Sequence, residues 1–208
     1  MDDAQLLRYS RHILLSELGP DAQERFAAAR ALVVGIGGLG NPAAHFLAAA
    51  GIGALTLCDA DHVDLTNLQR QILYATADIG RAKVDAAAAR LAAINRACVR
   101  ARKPLVSGAA LRFDGQIAVF DARDSASPCY HCLFGEGDEL EETRCATMGV
   151  FAPLVGIVGA AQAGEALKLI AGVGETLAGR LLIVDALTMQ WRDLRVPRDP
   201  ACPVCCAR

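Results

Sequence analysis

The sequence predicts an α/β fold in which helices flank a mostly parallel β-sheet. A short apolar strand, 31–34, runs into the glycine-rich stretch GIGGLG and a helix, and a second strand follows at 54–58. Gly35, Gly37 and Gly40 have the Gly-x-Gly-x-x-Gly spacing of a strand–turn–helix loop that approaches phosphates. An acidic residue ends the second strand, where its side chain can accept hydrogen bonds from a ribose. Together these features predict a Rossmann-like βαβ unit.

The composition is that of a globular protein with one main core. The chain has 208 residues, of which 53% are hydrophobic and 5% aromatic, and its net charge is -2. Because positive charge is not concentrated, no nucleic acid is expected as a partner. The N-terminus lacks the basic and apolar regions of a signal peptide, and the apolar stretch 150–161 is too short to span a bilayer. We therefore expect a cytoplasmic protein with no membrane partner.

Periodicity and turn residues predict the other elements. We expect helices at 4–18, 21–29, 42–50, 80–97 and 153–171. The stretch 103–120 predicts two strands around a turn at Asp114-Gly115, and 180–196 predicts a second antiparallel pair. These C-terminal strands follow the parallel part of the fold. No repeat or linker divides the sequence, so we expect a single nucleotide-binding domain over 1–208.

A polar segment after the second strand bears on which nucleotide is bound. A triphosphate that is being cleaved develops more charge than a dinucleotide, so it requires cations and amides around it. Arg70 and Lys83 can supply charge, and Asn67 and Gln71 can supply directed hydrogen bonds. The segment alone is also compatible with a solvated loop. The glycine loop and its acid alone do not separate an ATP enzyme from an NAD enzyme.

Two Cys-x-x-Cys pairs predict a structural metal site. They are formed by Cys129, Cys132, Cys202 and Cys205. Disulfides are not expected in a cytosolic chain, whereas two such pairs complete the closed tetrahedral thiolate set typical of structural Zn²⁺. The zinc would pin the C-terminal tail to the domain. A redox pair of the thioredoxin type would not need two copies. We expect His131 not to be a ligand and Cys206 to be a spare thiol.

Seven successive stretches of the sequence resemble one family. They are RYSRHILL, GIGGLGNPAAHFLAAAG, LCDADHVDLTNLQRQILY, IGRAKVDAA, PLVSGAA, GQIAVF and APLVGIVGAAQAGEALKLI. With the cysteine pairs, they resemble the ThiF/MoeB/HesA family of adenylyltransferases, relatives of the ubiquitin-activating enzymes, and most of all its molybdopterin-synthase branch. The resemblance implies a homodimer that uses ATP and Mg²⁺ to adenylate the C-terminal glycine of a ubiquitin-like sulfur carrier ending in Gly-Gly. It also implies a sulfurtransferase as a further partner.

The resemblance implies roles for individual residues. The loop around Gly38 would line the nucleotide, and Asp59 would hold the ribose. The residues that would surround the triphosphate are Asn67, Arg70, Gln71 and Lys83. Arg11 would reach into the partner subunit's site, where a guanidinium neutralises phosphate charge. Cys145 resembles a cysteine that some relatives use for covalent transfer, and the adjacent Arg144 would lower its pKa. An incidental cysteine is an equal alternative there.

The sequence also departs from this family. Relatives have about forty more residues, two strand-plus-helix units at typical lengths, where this chain is shortened near 98–103. That segment carries a Cys-Thr-Asp-Asn-like motif whose Asp helps to bind magnesium and the nucleotide, and no Asp-Asn pair occurs here. Nothing in the sequence supports a replacement by Asp121 or Asp124.

Three hypotheses follow. The first is an ATP-dependent adenylyltransferase of a sulfur carrier of the molybdopterin or thiamine type. The alternative is a catalytically impaired relative that binds nucleotide, carrier or a paralogue. An NAD-dependent oxidoreductase is the weaker alternative, because no set of residues for hydride transfer is recognisable.

Overall fold

The computed structural model describes residues 1–59, 61–79, 82–83, 98–135 and 149–206. The contacts divide the chain into two compact units. One unit comprises Met1–Asp85 and Gly159–Thr176, and the other comprises Ala86–Val158 and Leu177–Arg208. A single domain over the whole chain stays a prediction.

Three helices open the first unit. They are α1 (Asp3–Arg8), α2 (Ser10–Ile13) and α3 (Gly19–Ala28). A capping box starts α1, because Asp2 and Gln5 each accept a hydrogen bond from the other's backbone N–H. The single helix predicted at 4–18 is divided at Tyr9, which ends α1 and precedes α2. The next helix starts earlier than predicted because Pro20 fits its first turn, where a missing N–H costs nothing.

A parallel βαβ unit follows, as predicted. It consists of β1 (Arg30–Val34), α4 (Gly40–Ala49) and β2 (Ala54–Cys58), and β1 pairs with β2 from Arg30↔Ala54 to Val34↔Cys58. Two short strands, β3 (Asp61–His62) and β4 (Ala82–Lys83), then pair antiparallel. The prediction of helix at 82–83 is wrong, because those residues form β4. The rest of the helix predicted at 80–97 lies outside the described residues.

An antiparallel sheet dominates the second unit. Its strands are β5 (Pro104–Leu111), β6 (Asp114–Asp121), β7 (Arg180–Asp185) and β8 (Gln190–Arg195), hydrogen-bonded in that order. Its helical residues include 98–101, a short α5 (Tyr130–Leu133) and the start of α6 (Ala152–Ala171). The mixed α/β class, with parallel and antiparallel strands, is confirmed. Within the described residues the parallel ladder has two strands, β1 and β2.

The turn between β5 and β6 is displaced from its predicted position. Asp114 and Gly115 lie inside β6, and Arg112, with a positive φ of 53°, belongs to the turn. A Cβ at Gly115 would lie 2.8 Å from side-chain atoms of Leu154 and Val184. The glycine is therefore required by packing within the sheet and not by the turn.

The core of each unit is apolar, and α6 contributes Ala163 and Ala171 to the core of the first. In the first unit the buried cluster is Ala22, Phe26, Leu47, Ile52, Ala163 and Ala171. In the second unit it is Ala118, Phe120, Leu181 and Val196. By length and composition α6 is also able to cross a membrane, with a mean hydropathy of 1.4. One such helix is weak evidence, because core helices of soluble proteins pass the same test.

Candidate functional site

The glycine loop joins β1 to α4 by a close backbone approach. Gly35 has a φ of 82°, a conformation that favours glycine. A Cβ at Gly40 would lie 1.7 Å from the carbonyl oxygen of Gly35, so the first residue of α4 packs directly on the loop. This places the positive end of the α4 dipole next to the loop, where it favours an anion, although Asn41 N–H already donates to the Gly37 carbonyl oxygen at 3.0 Å and Pro42 has no N–H.

Asp59, immediately after β2, is tied to this loop. One carboxylate oxygen accepts a hydrogen bond from the backbone N–H of Ile36, and the other accepts one from Asp61 N–H at 3.0 Å. The side chain is buried. Because each carboxylate oxygen has a further lone pair, Asp59 can still accept bonds from ribose hydroxyls while it holds the loop.

The polar segment is ordered by its own side chains. The Arg70 guanidinium donates to Asn67 Oδ1 at 2.8 Å and to the Thr66 carbonyl oxygen at 3.1 Å. Asp64 caps the short 3₁₀ turn Leu65–Asn67 by accepting from Thr66 N–H at 2.8 Å. The arrangement fixes a cation and an amide side by side, which suits phosphate oxygens.

Further contacts join this segment to the glycine loop. Asn41 Oδ1 accepts from Leu73 N–H at 2.9 Å, and the Tyr74 hydroxyl donates to the Ile36 carbonyl oxygen at 3.2 Å. Gln71, 2% exposed, would have its Nε2 atom 3.9 Å from a Cβ at Gly37. Asn41 and Tyr74 are not marked by any local sequence pattern, because their bonds join residues 32 and 38 positions apart.

Two buried polar atoms in this region have no hydrogen-bond partner among the residues that the structure describes. They are Asn41 Nδ2 and Gln71 Oε1. Buried polar atoms are normally hydrogen-bonded, so an unpaired pair beside a phosphate-type loop is compatible with a polar ligand. The glycine loop, Asp59 and the polar segment thus form one candidate nucleotide site in the first unit.

The structure gives less information about the other predicted site residues. Arg11 lies exposed on α2. Lys83 is paired with Asp61 in the antiparallel ladder of β3 and β4, and its side chain is not among the described parts of the structure. Cys145 lies outside the described residues. Asp121 pairs with Arg123 at 2.7 Å, which holds the pKa of that carboxyl below its usual range, and Asp124 accepts from Ala126 N–H at 2.8 Å.

The structure brings the four predicted metal ligands together. The Sγ atoms of Cys129, Cys132, Cys202 and Cys205 all lie within 4.8 Å of one another. Neighbouring Sγ–Sγ distances are 3.6, 3.7 and 3.9 Å. A tetrahedron of thiolates at about 2.3 Å from zinc has sulfurs about 3.8 Å apart, so these three separations match those of a Zn²⁺ site. None of the four forms a disulfide.

The surroundings of the cluster carry positive charge. Arg198 donates to the Cys205 carbonyl oxygen at 2.8 Å. Burial raises the pKa of Cys132 to about 12. Burial also acts to raise the pKa of Cys205, but the bonds with Arg198 and the neighbouring thiols outweigh it and bring that pKa to about 7. The site therefore favours thiolate at one position before any metal is present, which suits metal binding.

Comparison with known proteins identifies the family. The sequence model of the ThiF family matches residues 9–96 and 92–204, so the chain belongs to the ThiF family. It is 39% identical over 249 residues to the molybdopterin-synthase adenylyltransferase of Escherichia coli, covering 99% of this chain and 98% of the relative. It is 38% identical over 246 residues to the sulfur carrier protein ThiS adenylyltransferase of the same organism, covering 99% and 97%.

The fold also resembles a solved structure. The crystal structure of E. coli MccB with ATP superimposes with a TM-score of 0.78, covering 97% of this chain and 75% of that one at 22% identity. At this identity the likeness concerns the fold alone.

The alignments also show where this chain is shorter. An alignment over 249 positions with a chain of 208 residues leaves about forty positions of the relative without a counterpart. The two family matches meet at residues 92–96. The gap therefore lies in the stretch between the polar segment and β5.

Proposed function

We propose that this chain is an ATP-dependent adenylyltransferase for a ubiquitin-like sulfur carrier of the molybdopterin or thiamine type. The observation that carries the proposal is the joined set of glycine loop, Asp59 and polar segment, in a chain that belongs to the ThiF family and aligns along nearly its whole length with adenylyltransferases. The weaker NAD hypothesis loses support, because the named relatives transfer adenylyl groups.

The proposed reaction is an attack on the α-phosphorus of ATP. A carboxylate oxygen of the carrier's terminal glycine forms a new P–O bond, and the bond from the α-phosphorus to the bridging oxygen breaks. Pyrophosphate leaves with that electron pair, and the carrier becomes an acyl-adenylate. Mg²⁺, when bound, would neutralise charge on the phosphates.

Residues of this chain would position the substrate for that step. The backbone of the glycine loop and the positive end of the α4 dipole would hold phosphate oxygens, and Asp59 would accept from the ribose. Arg70 and Asn67, already bonded to each other at 2.8 Å, would face the charge that develops on the leaving pyrophosphate. Gln71 and Lys83 would complete this set, and Arg11 would be supplied by the partner subunit of a homodimer.

The cysteine cluster would hold a structural Zn²⁺. Four thiolates leave no open position on the metal, so the site would stabilise the fold and take no part in adenylation. We also propose a cytoplasmic location and a sulfurtransferase as the protein that acts on the activated carrier.

The gap of about forty positions supports a second candidate function. The family's magnesium-binding Asp belongs to the missing segment, and Asp121 and Asp124 are engaged in local contacts within the second unit. A chain of this kind would bind nucleotide or carrier but turn over slowly.

Transfer of a labelled AMP group tests the proposal. ATP labelled on the α-phosphorus is incubated with the chain and a carrier ending in Gly-Gly, and label on the carrier is measured. We expect label that depends on the terminal glycine and is lost in Arg70→Ala. Arg25→Ala, an exposed arginine on α3, is the matched control and should retain it. Label that is equal with and without the terminal glycine would refute the proposal.

A further inference from the structure

Two additional metal-binding side chains lie beside the cysteine cluster. Cys206 Sγ is 3.9 Å from Cys205 Sγ, and His131 Nδ1 is 3.7 Å from Cys202 Sγ. These separations equal those between the four cluster thiols themselves. We call Cys206 and His131 the reserve donors. Cys206 adjoins Cys205 and His131 adjoins Cys202, so each lies beside a different member of the C-terminal cysteine pair.

The tail holds Cys206 against the cluster. Its backbone N–H donates to the Cys202 carbonyl oxygen at 3.0 Å, and its thiol donates to the Asp199 carbonyl oxygen at 3.2 Å. Asp199 in turn accepts from Ala201 N–H at 2.8 Å. This folded turn keeps the Cys206 sulfur next to the site, so its proximity does not depend on sequence adjacency alone.

His131 is placed by the first cysteine pair. It lies on α5 between Cys129 and Cys132, whose backbones are joined by a bond of 3.0 Å from Cys132 N–H to the Cys129 carbonyl oxygen. Its ring therefore extends from the segment that carries two ligands towards a third, Cys202. Zinc accepts imidazole nitrogen as readily as thiolate and has no electronic preference for one geometry.

We propose that this centre holds its metal with more than one ligand set, in which Cys206 replaces Cys205 and His131 replaces Cys202. The inference rests on the proposed zinc site. In the first exchange Cys206 would lose its proton to solvent and bind as thiolate in place of Cys205, whose released thiolate would take up a proton from solvent. No oxidant or reductant is required. The consequence is that loss of either ligand of the C-terminal pair leaves the tail attached.

Four proteins test the Cys206 exchange: the wild type, Cys205→Ser, Cys206→Ser and the double variant. Zinc per chain is measured after purification without chelator, and Co²⁺-substituted protein reports the number of thiolates by its sulfur-to-metal absorption. We expect one metal and a four-thiolate spectrum in the wild type and in both single variants. The double variant should lose the metal, or should bind Co²⁺ with the weaker sulfur-to-metal absorption of three thiolates.

A parallel pair tests His131. Cys202→Ser should retain the metal with a Co²⁺ spectrum of three thiolates and one nitrogen, and Cys202→Ser/His131→Ala should lose it. If the wild type is loaded but Cys205→Ser and Cys202→Ser are metal-free or aggregate, the reserve donors do not substitute and the inference is wrong. A wild type without zinc would instead refute the proposed zinc site itself.

Discussion

A Cβ atom on Gly40 would lie 1.7 Å from the carbonyl oxygen of Gly35, so the first and third glycines of the loop are in backbone contact. Gly37 lies between them in sequence, and within the described part of the chain a Cβ there would have only Gln71 Nε2 near it, at 3.9 Å. The glycines of this motif therefore have different roles. Gly40 is required for the fold, whereas Gly37 has room for a side chain in the absence of a ligand.

Gly40→Ala should destabilise the protein by about 1–3 kcal/mol, because the added methyl group forces α4 away from the loop. Gly37→Ala is the matched control and should unfold at the same denaturant concentration as the wild type. We expect it to weaken ATP binding nonetheless, since the methyl group would occupy the space of a phosphate. Equal stability of the two variants would show that the close approach is not maintained in solution.

Asp59→Ala should weaken ATP binding by about tenfold or more, because a hydrogen bond to a charged group contributes about 1.5–3 kcal/mol. Titration calorimetry measures this, with NAD as the second ligand. We expect the wild type to bind ATP and not NAD. Asp61→Asn, an exposed carboxylate two residues away, is the control. Preferential binding of NAD would contradict the nucleotide assignment.

Removal of zinc should lower stability, because the metal would join segments separated by 73 residues. Metal analysis should find one zinc per chain, and Cys129→Ser should reduce it. Cys58→Ser, which changes a half-buried cysteine of β2 outside the cluster, should keep it. Zinc-free protein from a preparation without chelator would refute the site.

A homodimer with shared sites predicts complementation between two inactive subunits. Arg11→Ala removes the residue supplied to the partner, and Asp59→Ala disables the subunit's own site. Mixed in equal amounts, they should recover about a quarter of wild-type activity, since half of the dimers would be mixed and each would have one intact site. No recovery in dimers shown to be mixed would place Arg11 outside the partner's site.

Some elements lie where the sequence predicted them and others do not. Ala54–Cys58 and the long helix Ala152–Ala171 match their predicted positions because apolar runs and flanking glycines mark them. The turn before β6 was misplaced, since Asp-Gly is a turn signal and the packing of Gly115 against Leu154 cannot be seen locally. The break of the first helix at Tyr9 was likewise not predicted.

The candidate site was predictable where a motif is local. The glycine loop, the acid after β2 and both cysteine pairs have fixed spacing, and the structure places each set together. The bonds from Asn41 to Leu73 and from Tyr74 to Ile36 depend on tertiary structure, so no spacing rule reveals them. The donors around the metal cluster, Arg198 among them, were missed for the same reason.

The central claim is that this chain adenylates a sulfur carrier despite its shortened segment, and carrier-dependent ATP–pyrophosphate exchange tests it most directly. We expect exchange only with a carrier that has its terminal glycine. Its rate should be about a hundred- to a thousandfold lower than that of the E. coli molybdopterin-synthase adenylyltransferase measured alongside, because one preorganised charged group is missing. Exchange that stays at the carrier-free background, in protein that binds ATP, would contradict the claim and leave a nucleotide-binding relative without this activity.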